Sequence, residues 1–318
     1  MKAIPIRLCL TEKAIHLVLV SLFVILPGCI PVFAQPREIH LWEGTSVREK
    51  GVTILPFIAT ENRFNGTAII ICPGGSYSWL DYETEGLDVA RWLQKEGISA
   101  FVLRYRVQGI FEYVTHSRAL FGGHQHPDML EDIQRALQYI REHATDFSIN
   151  PHLLGVMGFS AGGHLAMSSA VYHTTDFLCR IGIHHQVSLC PDFVVPIYPV
   201  VSMSHPDTHK RSRRALLGEW GKHKRKLRDS LSLERHIPTD CPPVFLVNCK
   251  DDPVVKYHNS ELLDSALTAK GIPHRYIQYH TGGHGFGASD HKGSPESRQW
   301  RKEFIQWLKE LIGNKDDE

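Results

Sequence analysis

From residue 67 onward the chain alternates short apolar runs with longer amphipathic segments, and no other feature constrains its fold as strongly. The apolar runs are short and rich in β-branched residues, as buried strands are, while the amphipathic segments have helical spacing. The predicted strands are 67–72, 98–103, 153–157, 193–198, 243–248 and 275–279. The predicted helices are 83–96, 128–143, 161–171, 260–270 and 296–311. This alternation predicts an α/β fold with a mostly parallel central sheet and helices on both faces.

Residues 37–318 contain no stretch with the composition of an interdomain linker, so we expect them to form one domain. The part before residue 67 is expected to be a hairpin that extends one edge of the sheet. Residues 106–127 are predicted to form a long loop, and residues 205–236 are a second, charged insertion. In such sheets, long insertions at the carboxyl ends of strands usually shape the ligand site.

Residues 1–34 have the pattern of an export signal and are not expected to belong to the fold. Basic residues precede an apolar run at 14–26, and small residues close the segment, as signal peptidase requires. The apolar run is short for a bilayer span, so a signal peptide is favoured over a stable membrane anchor. A lipoprotein signal with Cys29 as the lipidated residue is the alternative, although Pro27 fits it poorly. We therefore expect an exported protein, periplasmic or extracellular.

Composition and charge exclude several classes of function. The chain is 42% hydrophobic and 22% charged, which is ordinary for a globular protein. Its formal net charge of +1 gives no global field that would favour nucleic acid or an anionic membrane. Five cysteines follow the signal segment, and an odd number at irregular spacing does not form a disulfide framework. No metal-ligand motif is present, so no metal site is expected. The sequence leaves the oligomeric state open.

The sequence Gly-Phe-Ser-Ala-Gly at 158–162 matches G-x-S-x-G and lies directly between a predicted strand and a predicted helix. In that context the motif places a nucleophilic serine on a tight, strained turn at the positive end of the helix. Glycines flank the serine because bulkier residues would clash. The motif therefore predicts Ser160 as a nucleophile in an α/β-hydrolase fold. A glycine-rich turn with an incidental serine is the alternative.

A serine nucleophile needs a base, and the base needs an orienting acid. In this fold the chain order is serine, acid, histidine. His284 follows the last predicted strand in a glycine-rich loop, and Asp252 follows the strand before it, so both fall beside Ser160 at the carboxyl edge of the sheet. Asp251 is an adjacent candidate for the acid. The D-x-x-V pattern that begins at Asp252 favours Asp252, and Asp251 is then expected to cap or tie the loop.

Two other histidines lie near these motifs but lack part of this context. His164 is one helical turn past Ser160 and is expected to pack or to cap. His280 ends the last predicted strand, where it is expected to point inward as a structural histidine.

Acyl transfer also needs donors for the developing oxyanion. One candidate is the backbone N–H of Ala161, which follows the nucleophile. The loop after the first predicted core strand, Cys-Pro-Gly-Gly-Ser-Tyr at 72–77, is a variant of the HGGG-type loop and offers the N–H groups of Gly75 and Ser76. An ordinary turn at Gly74–Gly75 is the alternative.

The motifs CPGGSY, EGLDVARWL, GISAFVLRYR, GFSAGGHLA, DDPVV and GGHGFG, in this order, resemble bacterial α/β-hydrolase esterases of the acetyl xylan esterase and feruloyl esterase group. The resemblance extends from about residue 41 to the end, which makes 37–318 the catalytic domain. It implies a serine ester hydrolase that removes acetyl or related acyl groups from plant polysaccharide, with no metal or cofactor. The motifs are specific for fold and ester chemistry but not for substrate. The chain departs from the pattern at Ser76, commonly glycine, and at Lys256, commonly proline.

Three other functions compete with this interpretation. A peptidase of the prolyl-oligopeptidase kind shares the elbow and the chain order, but such enzymes usually carry a large N-terminal propeller, and here only about thirty residues lie between the signal segment and the first predicted core strand. A binding module on this fold typically lacks a triad member, whereas all three are present. A lipase needs a broad apolar lid, whereas the charged insertion is polar.

The charged insertion carries nine basic residues within 210–228: Lys210, Arg211, Arg213, Arg214, Lys222, Lys224, Arg225, Lys226 and Arg228. One interpretation is a solvated pair of helices. The other is that the insertion flanks the mouth of the site and favours polysaccharide that bears uronate groups, through salt-dependent attraction.

Overall fold

A computed structural model describes residues 37–47, 49–61, 63–109 and 123–316. The predicted signal segment 1–34, with Cys29, and most of the loop predicted at 106–127 lie outside the described residues. All described residues belong to one compact unit, Pro36–Glu318. Within them, no helix is long and apolar enough to cross a bilayer.

The core is one eight-stranded sheet. Its strands are β1 Ile39–His40, β2 Thr53–Phe57, β3 Ala68–Cys72, β4 Ser99–Arg104, β5 Leu154–Phe159, β6 Val194–Ile197, β7 Val244–Cys249 and β8 His274–Tyr279. Their order across the sheet is β1-β2-β4-β3-β5-β6-β7-β8. The β1–β2 and β2–β4 pairs are antiparallel, and the five pairs from β4–β3 to β7–β8 are parallel. The predicted α/β class and the predicted edge hairpin are both confirmed.

The described helices are α1 Asp88–Glu96, α2 Asp128–Glu142, α3 Ala161–Val171, α4 Lys210–Gly221, α5 Arg225–Ser230, α6 His258–Lys270 and α7 Trp300–Asp316. A π-helical turn, Glu83–Leu87, leads into α1, and the two together fill the segment predicted as one helix. The last helix begins later than predicted, because Ser297–Gln299 forms a 3-10 turn before it.

Two hydrophobic clusters fill the two faces of the sheet. In β3, Ile70 belongs to one cluster, while Ile69 and Ile71 belong to the other, since neighbouring side chains of a strand point to opposite faces. Helices α2, α3 and α6 contribute to the cluster of Ile70. Helices α1 and α7 contribute to the cluster of Ile69 and Ile71. The parallel strands β3–β7 are buried on both sides, which explains their mainly apolar sequences, whereas the edge strand β8 is mostly half-buried.

The charged insertion folds as the helices α4 and α5. Helix α4 is kinked at Gly218, whose φ is +74°, and it buries Ala215, Leu216 and Leu217 against the body of the protein. Most of the basic side chains lie on the remaining surface of the two helices.

Candidate active site

The candidate nucleophile lies on a sharp turn between β5 and α3. Ser160 has φ 55° and ψ −116°, a conformation that non-glycine residues rarely adopt, and only 4% of the residue is exposed. A Cβ atom at Gly158 would overlap the carbonyl oxygen of Gly162, and one at Gly162 would overlap the carbonyl oxygen of Cys72. The two glycines of the motif are therefore required by close backbone approach.

The structure brings Ser160, His284 and Asp252 into one line of hydrogen bonds. The Nε2 atom of His284 lies 2.9 Å from Ser160 Oγ, and its Nδ1 atom lies 2.6 Å from Asp252 Oδ2. Because a carboxylate can only accept, Nδ1 carries the ring proton and Nε2 is left to accept from the serine hydroxyl. The other oxygen of Asp252 accepts the backbone N–H groups of Val254 and Val255, at 2.8 and 2.9 Å. The carboxylate is thus fixed from both sides.

The adjacent aspartate has a different position. Asp251 is exposed, and its two oxygens accept the backbone N–H groups of Gly282 and Gly283, at 3.2 and 2.9 Å. It therefore ties the loop after β7 to the loop that carries His284. Of the two aspartates, only Asp252 is hydrogen-bonded to the imidazole.

The loop after β3 lies against the serine turn. A Cβ atom at Gly74 would lie 3.0 Å from Ser160 Cβ, and one at Gly75, where φ is +125°, would overlap the carbonyl oxygen of Trp79. The carbonyl of Gly75 accepts the N–H groups of Ser78 and Trp79, which closes a tight turn. Ser76 has φ +60°, which glycine adopts more easily, so serine at this position costs on the order of 1 kcal/mol.

The three predicted donors differ in how they are held. Ala161 begins α3, and its N–H is one of the donors that a helix leaves without an intrahelical acceptor. For Gly75 and Ser76, no acceptor of the backbone N–H is found in the described part of the chain. Peptide groups of both loops therefore remain available at the turn that carries Ser160.

Two functional candidates, Glu85 and Tyr198, were not assigned a role from the sequence. The carboxylate of Glu85 is 3% exposed and accepts the N–H of Gly74 at 2.8 Å and the hydroxyl of Tyr198 at 2.9 Å. Burial raises the pKa of Glu85 to about 7, and the electrostatic influence of His284 opposes that rise. The Tyr198 hydroxyl in turn accepts the N–H of Gly287 at 3.0 Å. The sequence signals for them are that Glu85 begins the EGLDVARWL motif and that Tyr198 ends the strand predicted at 193–198.

The first turn of α4 borders this site. The imidazole of His209 is hydrogen-bonded to Ser212 Oγ at 2.8 Å. Burial and then the nearby His284 lower the pKa of His209 to about 4. The guanidinium of Arg211 lies 5.9 Å from the centroid of the Trp79 ring, in the segment that follows β3. The charged insertion therefore folds as helices and also reaches the edge of the site.

The remaining candidates lie away from the chemistry. His164 is buried, with Nδ1 2.8 Å from the Tyr77 hydroxyl and Nε2 3.0 Å from the carbonyl oxygen of Leu231. The expectation that His280 points inward is wrong, because its side chain lies on the surface beside Glu296, whose carboxylate offers a partner in solvent. Among the described residues, no group of three histidine, cysteine or acidic side chains could hold a metal ion. All five described cysteines are free thiols.

Comparison with known proteins gives one matching family and several related proteins. Residues 68–267 match the BD-FAE family. The chain is 31% identical over 257 residues to the acetylxylan esterase of Xylanibacter ruminicola, covering 80% of this chain and 47% of that protein. It is 35% identical over 217 residues to endo-1,4-beta-xylanase B of Butyrivibrio fibrisolvens, covering 68% of this chain and 32% of that protein. The chain thus spans less than half the length of these two relatives.

Among solved structures, the acetyl ester-xyloside bifunctional hydrolase from Caldicellulosiruptor lactoaceticus is similar over most of both chains. It superposes with a TM-score of 0.73 at 31% identity, covering 87% of this chain and 97% of that chain.

Proposed function

Because the chain belongs to the BD-FAE family and has the α/β-hydrolase fold, we propose that it is a serine carboxylic-ester hydrolase that removes acetyl or related acyl groups from plant polysaccharide. The observation that carries the proposal is the line of hydrogen bonds from Asp252 through His284 to Ser160, at 2.6 and 2.9 Å. The relatives named for acetylxylan and for acetyl ester–xyloside hydrolysis support xylan esters as the substrate class.

The proposed reaction follows from the positions of these three side chains. Ser160 Oγ attacks the ester carbonyl carbon while its proton moves to Nε2 of His284. Asp252 holds the ring and stabilises the imidazolium that forms. The tetrahedral intermediate collapses when His284 gives that proton to the leaving alcohol oxygen of the sugar. Water then attacks the acyl-serine with the same proton transfers in reverse, which releases acetate and restores Ser160.

The negative charge of the intermediate needs fixed donors. We assign the N–H groups of Ala161, Gly75 and Ser76 to this oxyanion hole. Ala161 contributes from the positive end of α3, and the other two contribute from the loop that packs against the serine turn. The strained backbone of Ser76 is consistent with a peptide that is held in place for its donor.

The test is hydrolysis of p-nitrophenyl acetate by the wild type and by Ser160→Ala. Loss of the nucleophile is expected to lower kcat by about three to six orders of magnitude. Ser169→Ala is the matched control, because Ser169 lies on the same helix, is buried, and donates to the carbonyl oxygen of Ala166. A Ser160→Ala variant that keeps the wild-type rate would show that the nucleophile is assigned wrongly.

Substrate class and export need their own measurements. Acetylated xylan, feruloylated arabinoxylan, acetylated pectin and an aminoacyl-proline amide form a panel on which we expect the acetylated xylan to be hydrolysed fastest. Faster cleavage of the proline amide would favour the peptidase instead. Export through residues 1–34 predicts that the mature protein begins near Gln35, whereas lipidation would make Cys29 its first residue.

A further inference from the structure

The loop that carries the oxyanion donors and the loop that carries the histidine are joined by a buried bridge. The bridge consists of Glu85, which lies in the turn before α1, and Tyr198, which follows β6. Gly74 donates to one carboxylate oxygen of Glu85, and Tyr198 donates to the other. Gly287, three residues after His284, donates to the Tyr198 hydroxyl. Four residues that are remote in sequence thus form one continuous chain of hydrogen bonds.

The hydrogen bonds of the bridge all point toward the carboxylate of Glu85, either directly or through the Tyr198 hydroxyl. They are therefore strongest when Glu85 is ionised. The bond from Gly74 fixes the peptide group immediately before Gly75, one of the proposed donors. At the other end, the Tyr198 ring lies 4.6 Å from the His284 ring, centroid to centroid, at an angle of 55°. A shift in either loop would therefore be transmitted to the other.

We propose that Glu85 and Tyr198 are positioning residues. They hold the loop after β3, which carries the proposed oxyanion donors, and the loop of His284 in fixed positions relative to each other. Neither side chain touches the ester; they act through the peptide of Gly74 and through the ring and loop of His284. The inference rests on the proposed esterase function. Its consequence is that loss of the bridge weakens transition-state stabilisation more than it weakens substrate binding.

The test uses Tyr198→Phe, Glu85→Gln and the double variant, with p-nitrophenyl acetate as substrate. Each single variant is expected to lower kcat roughly 10- to 100-fold while KM changes less than about twofold, because a charge-assisted buried hydrogen bond is lost. The double variant is expected to be no more than about twofold slower than the slower single variant, since both interrupt one chain. Glu85→Ala, which removes the acceptor for Gly74, is expected to be slower than Glu85→Gln.

The matched control is Tyr276→Phe, which removes a hydroxyl that donates to Asn248 Oδ1 at 3.1 Å, elsewhere in the sheet. It is expected to lower Tm as much as Tyr198→Phe but to leave kcat within about twofold. Full kcat in folded Tyr198→Phe and Glu85→Gln, a loss confined to KM, or fully multiplicative effects would overturn the bridge. A wild type that neither hydrolyses esters nor labels with a fluorophosphonate would overturn the proposed function and the bridge with it.

A separate observation concerns the surface at the far end of α4. Trp220 is 78% exposed, and Val254 is the only other large apolar residue that is exposed in the described part of the chain. The kink at Gly218 precedes it, and the exposed side chains of Lys224, Arg225 and Lys226 follow it. An exposed indole beside a concentration of positive charge is unusual for a protein whose net charge is only +1.

The nearby carboxylates neutralise only part of this surface. Glu219 pairs with Lys222, and Asp229 pairs with Arg225 and Arg235. For Lys224 and Lys226, no ion pair is found among the described residues. From His209, beside the site, the regular part of α4 rises about 1.5 Å per residue as far as Leu217, and the kink at Gly218 then redirects the chain, so Trp220 lies within about 25 Å of His209. A polysaccharide chain seated at Ser160 can reach that distance with a few sugar units.

We infer that Trp220 and residues 222–226 form an auxiliary binding surface for polysaccharide that carries carboxylate groups. The indole face packs on the C–H face of a sugar ring, and the cations attract the uronate groups. The choice of a polysaccharide rests on the proposed function. The positive charge of the surface favours an acidic chain over a neutral one.

The test is affinity electrophoresis through gels that contain deacetylated glucuronoxylan or neutral arabinoxylan, with Ser160→Ala as the parent so that catalysis plays no part. Trp220→Ala and the triple variant Lys224→Gln/Arg225→Gln/Lys226→Gln are each expected to weaken glucuronoxylan binding at least about fivefold. Binding by the parent is expected to weaken with added salt. The control Lys95→Gln/Lys270→Gln/Lys302→Gln has the same change in charge, at exposed sites elsewhere, and is expected to bind as the parent does.

Equal retention of the parent, both patch variants and the control would overturn this surface. Binding to phosphatidylglycerol vesicles without binding to glucuronoxylan would also overturn it and would identify a membrane partner instead. Hydrolysis of p-nitrophenyl acetate, measured on the same patch variants with Ser160 intact, is expected to stay within about twofold of the wild type. That second measurement separates a failure of the surface from a failure of the proposed esterase activity.

Discussion

The two adjacent aspartates after β7 allow a sharp test of the site, because the same change from aspartate to asparagine can be made at each position and compared. Asp252→Asn keeps the shape of the side chain, but the NH₂ group of the amide can take the place of the oxygen that lies 2.6 Å from His284 Nδ1. The hydrogen bonds from Val254 and Val255 to Oδ1 favour an orientation in which the new NH₂ group faces the ring. Two donors would then face each other unless the imidazole changes tautomer.

The magnitude follows from that geometry. A change of tautomer would place the ring proton on Nε2, which could then no longer accept the proton of Ser160. The variant also loses the charge that stabilises the imidazolium in a buried site. In serine hydrolases the same change lowers kcat by about 10⁴-fold, which corresponds to about 5 kcal/mol at 1.36 kcal/mol for each tenfold change. We expect Asp252→Asn to lower kcat by about 10³- to 10⁴-fold, with little change in KM.

Asp251→Asn is the matched control, because it removes the same charge one residue away. Asp251 is exposed and accepts only backbone N–H groups, from Gly282 and Gly283. An amide oxygen can keep one of these bonds, so kcat is expected to fall less than about tenfold. The assay is steady-state hydrolysis of p-nitrophenyl acetate, with Tm measured for each variant. A larger loss in Asp251→Asn than in Asp252→Asn, at similar Tm, would refute the assignment of the acid.

Three further predictions concern the oxyanion loop, the buried carboxylate and the acyl group. Gly75→Ala places a Cβ against the carbonyl of Trp79 at a φ of +125°, so kcat on p-nitrophenyl acetate should fall at least about 100-fold; an unchanged kcat would contradict the donor assignment. Burial raises the pKa of Glu85 from 4.5 to about 7, so the folded state keeps a proton that the unfolded chain has lost. The free energy of unfolding should therefore fall by about 3 kcal/mol as pH rises between those values, and the fall should disappear in Glu85→Gln; urea unfolding at about pH 5 and about pH 8 measures it. The rate on p-nitrophenyl esters should fall from acetate to octanoate, because few large apolar side chains are exposed among the described residues; a preference for octanoate would favour a lipase.

Strands, helices and the serine turn could be predicted because each depends on local sequence. The apolar run at β3 and the amphipathic spacing of α2 are set by periodicity within one element. The turn at Ser160 depends on two glycines within two residues of it. The position of His284 and Asp252 at the carboxyl edge also followed from sequence, because parallel strands bring their ends together. Whether each side chain turns toward the serine was not determined by that argument.

The tertiary structure decided the contacts between segments that are far apart in the chain. Asp252 rather than Asp251 meets the imidazole because the loop after β7 turns one side chain inward and the other toward Gly282 and Gly283. Glu85 and Tyr198 are separated by more than a hundred residues, and no local pattern links a buried carboxylate to a distant hydroxyl. The sequence alone determined which elements form and which edge of the sheet carries the chemistry, since periodicity and steric limits act over a few residues. Tertiary packing determined the hydrogen-bond partners, because a hydrogen bond needs two atoms about 3 Å apart and only the folded sheet brings these atoms together.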